Sequence, residues 1–126
     1  MIRNSTATIL LTATVTAAAV TQATEVRAAT KFDGNWSVVV VTRNGPCDAS
    51  YRFSGQILNG AVVYNGIGSV TIAGRVRPSG AASLRVASGQ SFAVASGHMT
   101  TMHGSGTWYG RTSEGRCSGT WSAARS

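Results

Sequence analysis

Alternation of apolar and polar residues with a period of two is the feature that most restricts the fold of this sequence. It runs from about residue 30 to the C-terminus, and helical periodicity is absent over the same range. Glycine, serine, asparagine and proline interrupt it at short intervals. Such a pattern is typical of a barrel or sandwich of short strands. We predict eight strands, with approximate ranges 32–42, 50–58, 61–65, 69–77, 81–87, 91–98, 104–112 and 116–124.

The turn residues predict the register of the hairpins. Asn59 and Gly60 are a strong signal for a two-residue type I′ turn, which places Ile57 opposite Val62. Three-residue loops are expected at 78–80 and 88–90, and in each hairpin the apolar residues then share one face. The expected pairs are Val76–Ala82 and Ile72–Val86 across the first loop, and Val86–Phe92 and Leu84–Val94 across the second.

The string Ser-Gly-Thr-Trp occurs twice near the C-terminus, ending at Trp108 and at Trp121. With Glu114 and Gly115 as the turn, the two tryptophans lie opposite each other, and the repeat becomes a cross-strand pair. A three-residue loop at 113–115 would shift this register by one residue.

A weaker third copy of the string, Gly34-Asn35-Trp36, lies in the first predicted strand. If the last strand pairs with the first, Trp36 and Trp121 meet and the sheet has no exposed edge. Closure also brings together the strand ends that carry Cys47 and Cys117, and two cysteines in an exported chain indicate one disulfide. We therefore predict an all-β, eight-stranded antiparallel up-and-down β-barrel with one disulfide, with a β-sandwich as the alternative.

The predicted inner face carries large apolar residues together with several glycines. Glycine inside a strand marks a bend or makes room for a large neighbour. An eight-stranded barrel is either filled by side chains or just wide enough for a small ligand, and we expect a filled interior. The expected inward residues are Trp36, Val38, Val40, Tyr51, Phe53, Ile57, Val62, Tyr64, Val70, Ile72, Val76, Leu84, Val86, Phe92, Val94, Trp108 and Trp121.

Residues 1–28 have the pattern of a secretory signal peptide. Arg3 gives the positive n-region, residues 9–20 are apolar but too few to span a bilayer, and residues 26–28 fit the cleavage pattern. We therefore predict cleavage after Ala28, a single domain at 29–126, and a secreted or periplasmic location. No transmembrane segment is expected after cleavage.

The chain is basic, with a formal net charge of +7. Arg75, Arg77 and Arg85 fall on the outer face of one predicted hairpin and form a candidate basic patch. Such a patch attracts an anionic envelope component or an acidic protein. Nucleic-acid-binding modules interleave exposed aromatic residues with basic ones. Because Tyr109 is the only aromatic residue expected outside, we expect no dedicated nucleic-acid binding.

The sequence contains no convergent set of catalytic groups. Its carboxylates are not spaced as an acid/base pair and no serine lies in a nucleophile elbow, so we expect no enzymatic activity. The segment His-Met-Thr-Thr-Met-His holds both histidines. If the threonines form its turn, His98 faces His103 and Met99 faces Met102, and this donor set suits copper or a haem iron. These four residues are the candidate metal site, and otherwise no cofactor is expected.

Five segments, FDGNWSV, GPCDASYRF, NGAVVYNG, GSGTWYG and CSGTWSAAR, resemble those of short exported proteins of rhizobial-type bacteria that have no established activity. Some of those proteins carry a haem-utilisation or adhesin label, and no ligand residues are transferred from them. In Gly34-Asn35-Trp36 and in strand count, the chain is also similar to avidin and lipocalin barrels and to secreted barrel inhibitors of bacterial metalloproteases. Avidin-type ligand positions have no counterparts, so biotin binding is not implied.

Together these features predict an exported binding or surface-interaction protein of the cell envelope that binds through its basic outer face. One alternative is a periplasmic protease inhibitor. The other is a metal or haem carrier that uses the segment from His98 to His103.

Overall fold

The alternating segments form eight strands in the computed structural model, which describes residues 8–19, 29–64 and 68–126. The strands follow one another around a closed antiparallel barrel, and the last strand pairs with the first. The predicted up-and-down barrel is confirmed, and the sandwich alternative is wrong. The strands are β1 (Gly34–Asn44), β2 (Ser50–Leu58), β3 (Ala61–Val63), β4 (Thr71–Val76), β5 (Ala81–Ser88), β6 (Ser91–Met99), β7 (His103–Thr112) and β8 (Gly115–Arg125).

The β2–β3 and β4–β5 registers are confirmed. Asn59 and Gly60 have φ angles of 53° and 78°. Both values are positive, as a type I′ turn requires, and Ile57 pairs with Val62. The β4–β5 hairpin has the expected pairs Val76–Ala82 and Ile72–Val86.

The β5–β6 hairpin differs from the prediction by one residue. Ser88 stays in the ladder and pairs with Ser91, so only Gly89 and Gln90 form the turn. Gly89 has a φ of 59°. Glycine adopts this left-handed conformation without a steric penalty, and two residues are then enough to reverse the chain.

This shift changes which β6 side chains face the interior, because neighbouring strand residues point to opposite sides. Ala93 and Ala95 take the inward positions that were predicted for Phe92 and Val94. Phe92 lies outside and is 43% exposed. The prediction that Phe92 and Val94 face inward is therefore wrong.

The β7–β8 hairpin also differs, because its turn at residues 113–114 lies one position earlier than predicted. Trp108 pairs with Gly119 and Trp121 pairs with Gly106, so the predicted pairing of the two tryptophans is wrong. The pairing has shifted by two residues, which leaves every side chain on its expected face. Both tryptophans therefore still point inward.

Strand β8 closes the barrel on β1, and the pairing ends with Trp36 opposite Arg125. Trp121 pairs with Val40, so the predicted meeting of Trp36 and Trp121 is wrong. The guanidinium carbon of Arg125 lies 4.7 Å from the centroid of the Trp36 ring. The guanidinium also donates to the carbonyls of Lys31, Asp33 and Thr101, at 2.9, 2.6 and 2.8 Å. Arg125 thus joins the segment before β1 to the β6–β7 loop at one end of the barrel.

That segment closes this end of the barrel, which we call the closed end. Phe32 is 1% exposed, and its carbonyl accepts a hydrogen bond from the Trp36 indole at 2.8 Å. The two aromatic residues belong to the buried core, whose other members are Ile57, Val76, Met99 and Ala123. The core therefore fills only the closed end.

Asp33 ties the same segment to the β2–β3 turn. Its carboxylate accepts hydrogen bonds from the Thr30 hydroxyl at 2.6 Å and from the amides of Asn59 and Gly60 at 2.8 and 3.1 Å. These bonds favour the charged form, the Thr30 hydroxyl most of all, and they lower the pKa of Asp33 from 3.8 to about 2.

Cys47 and Cys117 form the predicted disulfide, with a Cα–Cα distance of 6.1 Å. Cys47 lies in the loop after β1, and Cys117 lies near the start of β8. The bridge therefore spans the β1–β8 seam at the end of the barrel opposite the closed end.

The predicted signal peptide lies only partly within the described residues. Residues 8–19 have no regular secondary structure, and the apolar side chains of Ile9, Leu10, Leu11 and Val15 are more than 80% exposed. The predicted cleavage site after Ala28 lies outside the described residues. Within residues 8–19, 29–64 and 68–126, no helix is long and apolar enough to cross a membrane.

Candidate ligand-binding cavity

The barrel interior contains a cavity of about 480 Å³, so the expectation of a filled interior is wrong. Every strand contributes residues to its wall, and the wall is almost entirely apolar. Arg52, Arg75 and Arg111 are among the residues that border the cavity, and strand alternation places these arginines, like Arg85, on the outer face of the sheet.

The space comes from small residues on the inner face. Ala93 and Ala95 line the cavity where Phe92 and Val94 were expected. Gly55 also lines it, and a Cβ atom added there would meet no heavy atom within 4 Å. The backbone at Gly55 therefore has room for a side chain, and its glycine leaves that room empty.

Trp108 and Trp121 lie along the wall instead of across the cavity. The Trp121 indole crosses β7 and donates from Nε1 to the carbonyl of Ser96 on β6, at 3.1 Å. The Trp108 indole crosses β8 and donates to the carbonyl of Val41 on β1, also at 3.1 Å. Each ring therefore covers the neighbouring strand and leaves the middle of the barrel open.

The repeated string explains this arrangement. Trp121 crosses β7 at Gly106, and Trp108 crosses β8 at Gly119, the glycines with which they are paired. A Cβ atom on Gly106 would lie 2.7 Å from Trp121 Nε1. The glycine of the first Ser-Gly-Thr-Trp copy thus makes room for the tryptophan of the second, whereas a Cβ atom on Gly119 would meet the β1 backbone at Val41 and Arg43.

The cavity is open at the end of the barrel that carries the disulfide. Tyr51, Tyr64 and Val70 line it there, and they are 43%, 37% and 40% exposed. The ring of Phe53 packs edge-to-face with Tyr64, with the centroids 6.2 Å apart. We call this region the mouth, and it gives a ligand access to the interior.

Among the lining residues, the polar side chains that strand alternation directs inward lie towards the mouth. They include Tyr51 and Thr112, and the Tyr51 hydroxyl accepts a hydrogen bond from the Asp48 amide at 3.3 Å. The deep part is bounded by Ile57 and Met99, which are buried. The cavity wall is thus polar near the mouth and apolar in the deep part, which suits a molecule with an apolar body and a polar group at one end.

The four candidate metal ligands do not share one face of the sheet. The turn lies one residue later than the two threonines, because the Thr100 amide donates to the His103 carbonyl at 2.7 Å. Met99 therefore pairs with Gly104 and His98 with Ser105, so the predicted facing of the two histidines and of the two methionines is wrong. Met99 points into the barrel and is 6% exposed, whereas His98 lies on the outer face and Met102 is 55% exposed. The described part of the chain contains no group of three or more His, Cys, Asp or Glu residues placed to hold a metal ion. Copper or haem binding by this segment stays a prediction.

The candidate basic patch is exposed as predicted. Arg75 pairs with Ser83, and Arg85 lies two residues further along β5, so the two arginines are diagonal neighbours on the outer face. Arg77 follows Arg75 after the end of β4, and its amide donates to the Ala81 carbonyl at 2.9 Å. The structure thus groups the three residues, and their binding of an anion stays a prediction.

No protein-family model, curated protein or solved structure matches this chain. The resemblance to exported rhizobial-type proteins therefore stays a prediction. A conclusion about function depends on the geometry of the cavity and of the outer surface.

Proposed function

We propose that this protein is an exported binding protein that holds a small, mainly apolar molecule inside its barrel. The proposal is carried by the cavity of about 480 Å³, which is closed at Phe32 and open at Tyr51 and Tyr64. Ligand pockets typically have this order of volume, with apolar walls and a few polar groups that orient the ligand. This proposal agrees with the sequence-based prediction of a binding protein. It differs in the main binding site, which is the barrel interior instead of the arginines of the outer face.

The cavity also limits the ligand. At the packing density of protein interiors, about 0.74, the volume accommodates roughly 350 Å³ of atoms, or about 15–20 carbon atoms. A charged group buried without a partner costs several kcal/mol. The ligand is therefore neutral along its body, and any charged or polar group lies at the mouth.

Binding of the neutral dye N-phenyl-1-naphthylamine tests this proposal. We expect its fluorescence to rise on addition of the protein, because the dye leaves water for an apolar site. Ile72→Trp places an indole in the cavity and should abolish most of the increase. Thr71→Trp is the matched control, because Thr71 is the exposed neighbouring residue on the outer face.

The result is interpreted only for variants that unfold at temperatures close to that of the parent. Equal dye binding by parent and Ile72→Trp would contradict the proposal, as would equal losses in both variants. Native mass spectrometry of protein from its natural source would then identify a retained ligand directly.

Two observations support export. The disulfide is consistent with an oxidising compartment, and the apolar side chains of residues 8–19 are exposed to solvent. A mature N-terminus at Ala29 in protein from the periplasm or medium would establish the predicted cleavage. The protease-inhibitor and metal-carrier alternatives are tested by digestion assays and by metal analysis of the same sample.

A further inference from the structure

The one-residue shift of β6 creates an outer surface that combines aromatic rings with arginines. Phe92 and Tyr109 lie on neighbouring strands and are 43% and 59% exposed. Phe92 pairs with Arg111, and Tyr109 lies two residues before Arg111, so Phe92 and Tyr109 are diagonal neighbours, whose Cα atoms are typically about 7–8 Å apart. Arg116 extends the row on β8, where it pairs with Arg111. We call Phe92, Tyr109, Arg111 and Arg116 the ring–arginine face.

The pairing of Arg111 with Arg116 lowers the stability of the fold when no ligand is bound. Arg111 and Arg116 are directly opposite each other on adjacent strands, and both are exposed. Like charges in this position destabilise a sheet. A feature that opposes folding without a structural gain points to a functional site, and an anion bound between the two guanidinium groups would remove the repulsion.

The rings and the arginines also border a common depression. It has a volume of about 190 Å³ and is lined by Phe92, Tyr109, Gly110, Arg111 and Arg116. A ligand in this depression therefore lies next to both aromatic residues and both arginines. Phe92, Gly110 and Arg111 also border the proposed ligand cavity, and strand alternation places the side chains of Phe92 and Arg111 on the outer face of the sheet.

We propose that the ring–arginine face binds an acidic polysaccharide whose sugars carry carboxylates, that is, a uronic acid polymer. Arginine binds carboxylates through two parallel hydrogen bonds. The apolar faces of pyranose rings pack on exposed aromatic rings, which Phe92 and Tyr109 provide. The disulfide favours a partner outside the cytoplasm, where such polymers occur.

Single-stranded nucleic acid also combines anionic groups with flat rings. The expectation against nucleic-acid binding assumed that Tyr109 was the only outward aromatic residue, and the position of Phe92 shows that this assumption was wrong. A nucleic acid is therefore a named competitor in the test.

The test measures binding of a purified oligogalacturonate by titration calorimetry at low salt. Arg111→Ser with Arg116→Ser should weaken binding by at least about tenfold, because charge-assisted hydrogen bonds are lost. Tyr109→Ser should weaken it by about fivefold through loss of the ring contact. The control Lys31→Ser with Arg52→Ser removes the same charge from exposed positions outside both the ring–arginine face and the candidate basic patch, and it should leave the affinity unchanged. A neutral maltooligosaccharide should not bind.

Three results would overturn the proposal: no binding of oligogalacturonate to the parent, equal losses in the control and in the arginine variant, or tighter binding of an oligothymidylate that depends on the same residues. Because Arg111 and Arg116 repel each other, their replacement should not lower the unfolding temperature, which separates loss of binding from loss of folding. Dye binding in the cavity should be unchanged in these variants, so this proposal and the proposed function can fail independently.

Discussion

Replacing Gly106 with alanine tests the close fit of this glycine and Trp121 in the β7–β8 hairpin. The added Cβ would contact the Ser96 carbonyl oxygen, and it would lie 2.7 Å from both Gly97 Cα and Trp121 Nε1. The Ser96 oxygen and the Gly97 Cα belong to the backbone of β6, which is paired with β7 at this point. They cannot move without breaking the ladder, so the strain is not relieved by a side-chain rotation.

The expected cost follows from two losses. Overpacking of a well-packed site typically costs about 1–3 kcal/mol. Displacement of the Trp121 ring also removes its hydrogen bond to Ser96, which contributes about 0.5–1.5 kcal/mol. Together the free energy of unfolding should fall by about 2–4 kcal/mol, or roughly 10–25 °C in Tm for a domain of this size.

Gly55→Ala is the matched control, since it makes the same chemical change on the same inner face. A Cβ atom at Gly55 meets no atom within 4 Å, and Gly55 is not among the glycines with positive φ. Alanine at such a position reduces the entropy of the unfolded chain, so we expect stabilisation by about 0.4–1 kcal/mol.

Thermal and urea unfolding followed by circular dichroism measure both variants. The prediction requires that Gly106→Ala lowers the unfolding temperature and that Gly55→Ala raises it. If Gly106→Ala unfolds within a few degrees of the parent, the close packing of Trp121 on β7 is wrong. If Gly55→Ala is destabilised as strongly as Gly106→Ala, the glycines act through the backbone and not through the space they leave.

Two further predictions concern the ends of the barrel. Reduction of the Cys47–Cys117 disulfide should lower the free energy of unfolding by about 4 kcal/mol, because the bridge closes a loop of 70 residues. Urea unfolding with and without reductant measures this difference, and a value below about 1 kcal/mol would contradict the prediction. The pKa of Asp33 is lowered from 3.8 to about 2 by hydrogen bonds to its charged form, so its contribution to stability is fully present above about pH 4 and is lost as the pH falls towards 2. Asp33→Asn should therefore lower Tm at neutral pH and flatten the dependence of Tm on pH between 4 and 2, and parallel Tm curves for the two proteins would refute this.

The eight strands, the closure of the barrel and the disulfide were predictable because their signals are local or follow from topology. Period-two alternation indicates strands wherever it occurs, and Asn59 and Gly60 specify their own turn. Cys47 and Cys117 become neighbours in any sheet that closes between its first and last strands.

The sequence by itself did not determine the cavity or the ring–arginine face, because both depend on the length of one turn. Residues 88–91 are compatible with a three-residue or a two-residue turn, and a difference of one residue exchanges the faces of a whole strand. The tertiary structure keeps Ser88 in the ladder. Ala95 then faces the interior and Phe92 faces solvent. Side-chain alternation in β6 is equally regular in both registers, and only packing against the other strands decides between them.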